Sequence, residues 1–344
     1  MGRVYNVIDS DGHILEPLTL WDDYMDPSFR HRAPKLVKDK DGKERLLVEE
    51  QILGSQQGMG GIGGVGARQG VVSAETMSYE EGRPGGFDPH KRIPDMDLDG
   101  IDAAFLYPSM GLFAGAVHDP ALAGVLCRAY NRWLADYCKP YPDRLFGIAM
   151  LPLQSVDHAI EEMRFAREEL GFRGGFIRPN PYNNRMLHDP AYEPFWNAAE
   201  ELDLAIGIHE GGNSGMPTVG IDRFEGRGAQ HIISHTMEMM LACMSRSGVG
   251  CASAIRRCAS GSSNRAAAGS RLGSIAWTAI STTRVSTIPD SRRVRANSSS
   301  AIAGSPSSRS KEASRCWRNI SGRTRSYGRP TIRTATAFSR ARPR

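Results

Sequence analysis

Between residues 4 and 244, short apolar runs alternate about five times with segments of helical periodicity, and each run closes on polar residues or proline. The first runs from Val4 to Ile8 and ends in Asp9-Ser-Asp11-Gly-His13. Ile101–Tyr107 stops at Pro108, Leu145–Leu151 follows, Arg173–Ile177 ends on Arg178-Pro179, and Leu204–Ile208 ends on His209-Glu210. Between them, residues 119–139, Val156–Leu170 (closed by Gly171), Pro190–Leu202 and Ala229–Met244 read as helices. Parallel strands need crossover connections, and helices supply them. Polar residues gathered at strand C-terminal ends fit a (β/α)8 TIM-like barrel, whose chemistry sits on that face. An open doubly wound sheet is the alternative, but no phosphate-binding first turn is present.

Leu18–Asp23 reads as a helical turn, and residues 28–95 as a polar, Gly-rich insertion. Gly58-Met-Gly60-Gly-Ile-Gly63 matches GxGxxG in form, yet Ala67-Arg-Gln-Gly70-Val follows where a dinucleotide site needs a helix. A lid over an active site is the better reading.

In an extended strand, Asp11 and His13 fall on one face and can reach one point. A carboxylate and an imidazole converging there suit a divalent metal; the plain alternative is a turn with a loop histidine. Arg178 presents a planar fork that could hold a substrate carboxylate or face solvent beside Pro179. Glu210 reads as support for a metal ligand or as part of the turn before Gly211-Gly212. His235 shares a helix face with His231 and reads as a proton carrier or as one member of a satisfied polar network.

These residues also resemble a family. Asp9-x-Asp11-x-His13-x-x-Glu16-Pro17, Asp97-Leu-Asp-Gly-Ile-Asp102, Leu106-Tyr-Pro-Ser109, Gly174-Gly-Phe-Ile-Arg-Pro179, His188-Asp-Pro-Ala-Tyr-Glu-Pro-Phe-Trp196 and Ile208-His-Glu-Gly-Gly212 are similar to the amidohydrolase superfamily. The branch they resemble is the amidohydrolase-related group that includes aminocarboxymuconate-semialdehyde decarboxylase. The resemblance implies a metal-dependent hydrolase or non-oxidative decarboxylase with a distorted (β/α)8 barrel. It also implies one divalent ion, usually Zn²⁺ and sometimes Mn²⁺. Asp11 and His13 match the strand-1 ligand pair, and His209 the ligand histidine that closes strand 5. A small carboxylate or aromatic substrate is implied, and a homo-oligomer is compatible.

The pattern stops after Met244. Residues 245–344 hold 19 Arg, 1 Lys, 2 acids and 22 Ser, while residues 1–244 carry 23 basic and 36 acidic residues. All nine histidines lie at or before His235, so the expected strands 6–8 and their metal-bound aspartate have no counterpart. A basic tail would attract nucleic acid through charge, and a non-enzymatic nucleic-acid binder is the alternative function. Yet one lysine among 20 basic residues is odd for electrostatics alone, and no stacking platform is evident, so no specific nucleic acid is expected. Translation of GC-rich DNA in a shifted frame accounts for it better. Pairing the last base of plausible codons with the first two of the next turns residues 251–280 into a strand, Gly-rich turn and amphipathic helix. The same operation on 315–341 yields an alanine-threonine-aspartate-tyrosine-proline run, with the aspartate at the position of Thr331. The expectation is therefore an incomplete barrel over 1–244, a frame-shifted irregular segment over 245–344, and a chain inactive as written. Unpaired cysteine spacing, no signal peptide and no membrane-length apolar run place it in the cytoplasm, away from membranes.

Overall fold

The computed structural model describes residues 5–53, 78–211, 215–245 and 331–332. Strand β1 (Val7–His13) leads to a short helix α1 (Leu20–Tyr24). Next comes an antiparallel sheet of β2 (Lys35–Lys38), β3 (Glu44–Val48) and β4 (Gln51–Leu53), then helices α2 (Pro84–Phe87) and α3 (Pro89–Asp99). The remaining elements alternate: β5 (Ala103–Tyr107), α4 (Pro120–Cys138), β6 (Leu145–Met150), α5 (Val156–Glu168), β7 (Gly174–Ile177), α6 (Glu193–Glu201), β8 (Ala205–Ile208) and α7 (Arg227–Met244).

The principal sheet is parallel and ordered β8-β7-β6-β5-β1. Each strand pairs with the one before it in this series, with no reversal of order. A doubly wound sheet requires such a reversal, so the fold is the curled wall of a TIM-like barrel, incomplete as expected. A two-residue strand, β9 (Thr331–Ile332), lies parallel to β1 on its outer side. It was not anticipated; the other expectations for residues 246–344 fall outside the described residues.

Local chemistry explains these elements. β5 and β7 are buried at every position, as strands covered on both faces must be, which is why they read as continuous apolar runs. α4 starts at Asp119, whose side chain accepts from Ala121 N, with Pro120 at the first helical position. Its inner face buries Leu122, Leu126, Tyr130 and Leu134 against the core and packs on β6 and α5. Gly171, at φ 71°, follows α5 in the left-handed conformation that glycine adopts at no steric cost.

Residues 28–95, the polar, Gly-rich insertion, carry regular structure on both sides of the glycine run, which itself lies outside the described residues. The hairpin β3–β4 turns at Glu49 and Glu50, both at positive φ (47° and 64°). No glycine or asparagine marks that turn. Glu49 then accepts from the backbone N–H groups of His118 (2.7 Å) and Asp119 (3.0 Å), and Arg32 bridges Glu49 and Asp119. The hairpin tip therefore docks on the start of α4. α3 carries ordinary signals, with Asp88 as N-cap, Pro89 at its first position and Gly100 beyond its end, but Pro94 interrupts the pattern.

Candidate metal centre

β1 and β8 are the first and last of the five long parallel strands, and their C-terminal ends bring Asp11, His13 and His209 together. One donor atom from each lies within 4.8 Å of the others. His209 Nε2 is 3.1 Å from Asp11 Oδ1 and 3.1 Å from His13 Nε2.

A bulge makes this geometry. β1 carries one more residue between Asp9 and Gly12 than β5 does between Ala104 and Leu106. Simple alternation would put Asp9 on the face of Asp11 and His13. The bulge instead buries Asp9, whose carboxylate accepts from Asp11 N at 3.1 Å, and leaves Asp11 exposed. Burial raises the Asp9 carboxyl to about 6. Gly12 sits where a Cβ would lie 2.9 Å from Asp9 Oδ2 and 3.1 Å from Phe105 O. Arg92, on α3, donates to His13 O at 2.7 Å and holds the strand end.

Both imidazoles have their tautomers set. His13 Nδ1 is 2.8 Å from Pro108 O, and His209 Nδ1 is 2.5 Å from Glu210 O. A carbonyl only accepts, so each Nδ1 carries hydrogen and each neutral ring presents a bare Nε2. Two lone pairs and a carboxylate thus face one point, an arrangement that calls for a cation. Without metal, a proton fills the role. Burial lowers His209, but the adjacent Asp11 carboxylate outweighs it and holds the ring above its ordinary value. Burial and the His209 charge push His13 down to about 4. Burial raises Asp11, yet His209 beside it wins and holds the carboxyl at about 2. A divalent ion fits as well, since two nitrogens at tetrahedral positions on zinc stand about 3.3 Å apart.

The three other expected residues form a second, adjoining group. Glu210 is buried, with Oε1 3.2 Å from Arg178 Nη2 and Oε2 2.9 Å from His235 Nδ1. His235, on α7, is partly exposed and also lies 3.0 Å from His231 O. Arg178 does not face an open site. It has no exposed surface, and it donates to Leu112 O (2.6 Å) and Asn180 Oδ1 (2.9 Å).

Several contributors were not singled out in the sequence. Glu16 is fully buried and accepts from Ser109 N, Met110 N and Gly111 N at 2.9–3.0 Å and from Tyr79 OH at 3.2 Å. It pins the loop that follows β5. Tyr107 places its ring 5.6 Å from that of His209, and burial raises its hydroxyl pKa. Arg92 could have been found from the Asp88-Pro89 cap that starts its helix.

The amidohydrolase family model matches residues 8–247. The chain belongs to the amidohydrolase family. Gamma-resorcylate decarboxylase of Rhizobium sp. (strain MTP-10005) is 34% identical over 123 residues, covering 34% of this chain and 37% of the relative. The 2-amino-3-carboxymuconate-6-semialdehyde decarboxylase of Dictyostelium discoideum is 32% identical over 123 residues, 36% of this chain and 34% of the relative. These matched stretches span about a third of each curated relative's length. An amidohydrolase of Mycobacterium avium subsp. paratuberculosis K-10 shares the fold at 20% identity and TM-score 0.54, over 72% of this amidohydrolase chain and 69% of that one. Among the described residues no helix is long and apolar enough to cross a membrane.

Proposed function

We propose that Asp11, His13 and His209 are ligands of one divalent metal, zinc or manganese, in a hydrolase or non-oxidative decarboxylase acting on a small aromatic or carboxylate-bearing molecule. The carrying observation is the pair of bare Nε2 atoms aimed, with a carboxylate, at one point. When bound, such an ion supplies a low-pKa water or polarises a substrate oxygen. The chain's own residues do the rest. Pro108 O and Glu210 O fix the two ligand rings, Asp9 and Arg92 hold the bulged strand end, and His235, engaged at Nδ1 by Glu210, offers Nε2 as the proton acceptor. The decarboxylase names of the matched relatives support decarboxylation over hydrolysis.

The family match ends at residue 247, which supports a shift of reading frame between 245 and 250 and a boundary between units 1–244 and 245–344. Thr331, where the shifted text carries its aspartate, belongs to β9 beside β1. On this reading the chain as written carries threonine where the strand-8 carboxylate is expected, and is catalytically silent. The unpaired thiols of Cys127 and Cys138 suit the cytoplasm. Titration of Mn²⁺ into the full chain tests the ligand set. One weak site is expected, weakened at least about 10-fold further in Asp11→Asn, since even outer partners of a ligand matter that much. Binding unchanged by Asp11→Asn and His209→Ala would remove these residues from the metal.

A further inference from the structure

Arg178 and Glu210 form a buried ion pair that ties together three loops at the C-terminal ends of the strands. The guanidinium donates to Leu112 O after β5, to Asn180 Oδ1 after β7 and to Glu210 Oε1 after β8. Asn180 Nδ2 in turn donates to Pro217 O (3.0 Å) and Thr218 Oγ1 (3.3 Å), in the connection to α7. The group is closed above and below. A Cβ at Gly211 would lie 2.7 Å from Arg178 Nη1, and one at Gly115 would lie 3.2 Å from Arg178 Cγ. Among the described residues Arg178 keeps no exposed surface that a substrate carboxylate could meet.

The other oxygen of Glu210 points out of this group, to His235 Nδ1 at 2.9 Å. Carboxylate and the His231 carbonyl both only accept, so neutral His235 carries its hydrogen on Nδ1 and a lone pair on Nε2. An unanchored carboxylate would rotate and release this choice. Arg178 fixes it by holding the opposite oxygen, the same logic by which a buried aspartate orients a catalytic imidazole.

We infer that Arg178 is a positioning residue: through Glu210 it holds the His235 imidazole as the Nδ1–H tautomer, and it does not bind substrate. The inference rests on the proposed metal centre for its purpose, because His235 then supplies the proton-accepting nitrogen beside that centre. Its test does not depend on metal.

The experiment is magic-angle-spinning ¹⁵N spectroscopy of the full chain labelled at histidine, metal-free and alkaline, with His235→Gln assigning the resonance. His158, whose Nδ1 lies 3.0 Å from Pro120 O far from the pair, serves as the folding control. In the wild-type chain, His235 should show one protonated Nδ1 and one bare Nε2. In Arg178→Lys, which keeps the buried charge but loses the fork, and in Arg178→Met, both nitrogens should move to averaged positions while His158 stays put. Glu210→Gln should reproduce that loss. An unchanged His235 pattern in either Arg178 variant overturns the inference. Loss of the His158 signal in both also overturns it, because Arg178 would then be a general structural support. Adding Zn²⁺ to the wild-type chain separates the two readings: resonances of His13 and His209 that do not respond count against the metal centre and leave the role of Arg178 standing.

Discussion

Glu16 shows how much of this site depends on a side chain that never meets the chemistry. Its carboxylate accepts three backbone N–H groups and a tyrosine hydroxyl with no exposed surface. Glu16→Gln places an amide among donors, so at least one N–H loses its acceptor. A loss of roughly 2–4 kcal/mol is expected from the urea midpoint of the full chain. The proposed metal ligands make a different prediction. His209 is held above 6.5, so its stabilising effect in the metal-free protein is complete below that ordinary value and fades as pH rises through the raised one. Asp11, held at about 2, contributes above its ordinary 3.8 and loses that contribution only as pH falls towards 2. Metal entry must displace the His209 proton. Calorimetry in buffers of different ionisation heat should therefore show one proton released per ion below the raised His209 value, and affinity climbing with pH until that ring is neutral. Uptake without proton release would place the ion elsewhere.

At the scale of the element, the β1 bulge decides whether the donors meet. Gly12→Ala would push a methyl against Asp9, Arg92 and the Phe105 carbonyl. It should cost roughly 1–3 kcal/mol as an overpacked position and weaken metal binding along with stability. A melt shift with metal affinity intact would mean the bulge does not aim the ligands. This element also marks the limit of what was legible in the chain. The buried parallel strands and their capped helices could be read because a covered strand is a continuous apolar run and a helix repeats every turn. Asp11, His13 and His209 were legible as a set through the family motifs. The bulge was not, since alternation alone groups Asp9 with Asp11. Nor was the β2–β4 sheet, whose Glu49–Glu50 turn uses positive φ without glycine. Arg178 was legible as a polar residue at a strand end but not as a buried one, because its burial depends on the loops after β5 and β8, distant in sequence.

For the molecule as a whole, the described barrel wall stops at β8 on one side. α7, which follows β8 in the chain, carries exposed apolar side chains, among them Ile232 (68% exposed), Met240 (51%) and Met244 (57%). A parallel edge and an apolar helix face left uncovered favour association between chains. Light scattering of the full chain should show mass rising with concentration; a monodisperse monomer would mean that this face is covered. The central claim is that residues 4–244 are the beginning of a metal-dependent amidohydrolase barrel whose remaining strands lie in another frame. The direct measurement compares the chain as written with one whose frame is restored after Met244. For each, metal per chain is determined by elemental analysis, and turnover is screened on aromatic carboxylates, simple esters and lactones. The restored chain should hold about one divalent ion per barrel, bound by Asp11, His13, His209 and the strand-8 carboxylate, and turn over a substrate, while the chain as written holds metal weakly and turns over none. Tight stoichiometric metal with turnover in the chain as written would contradict the account.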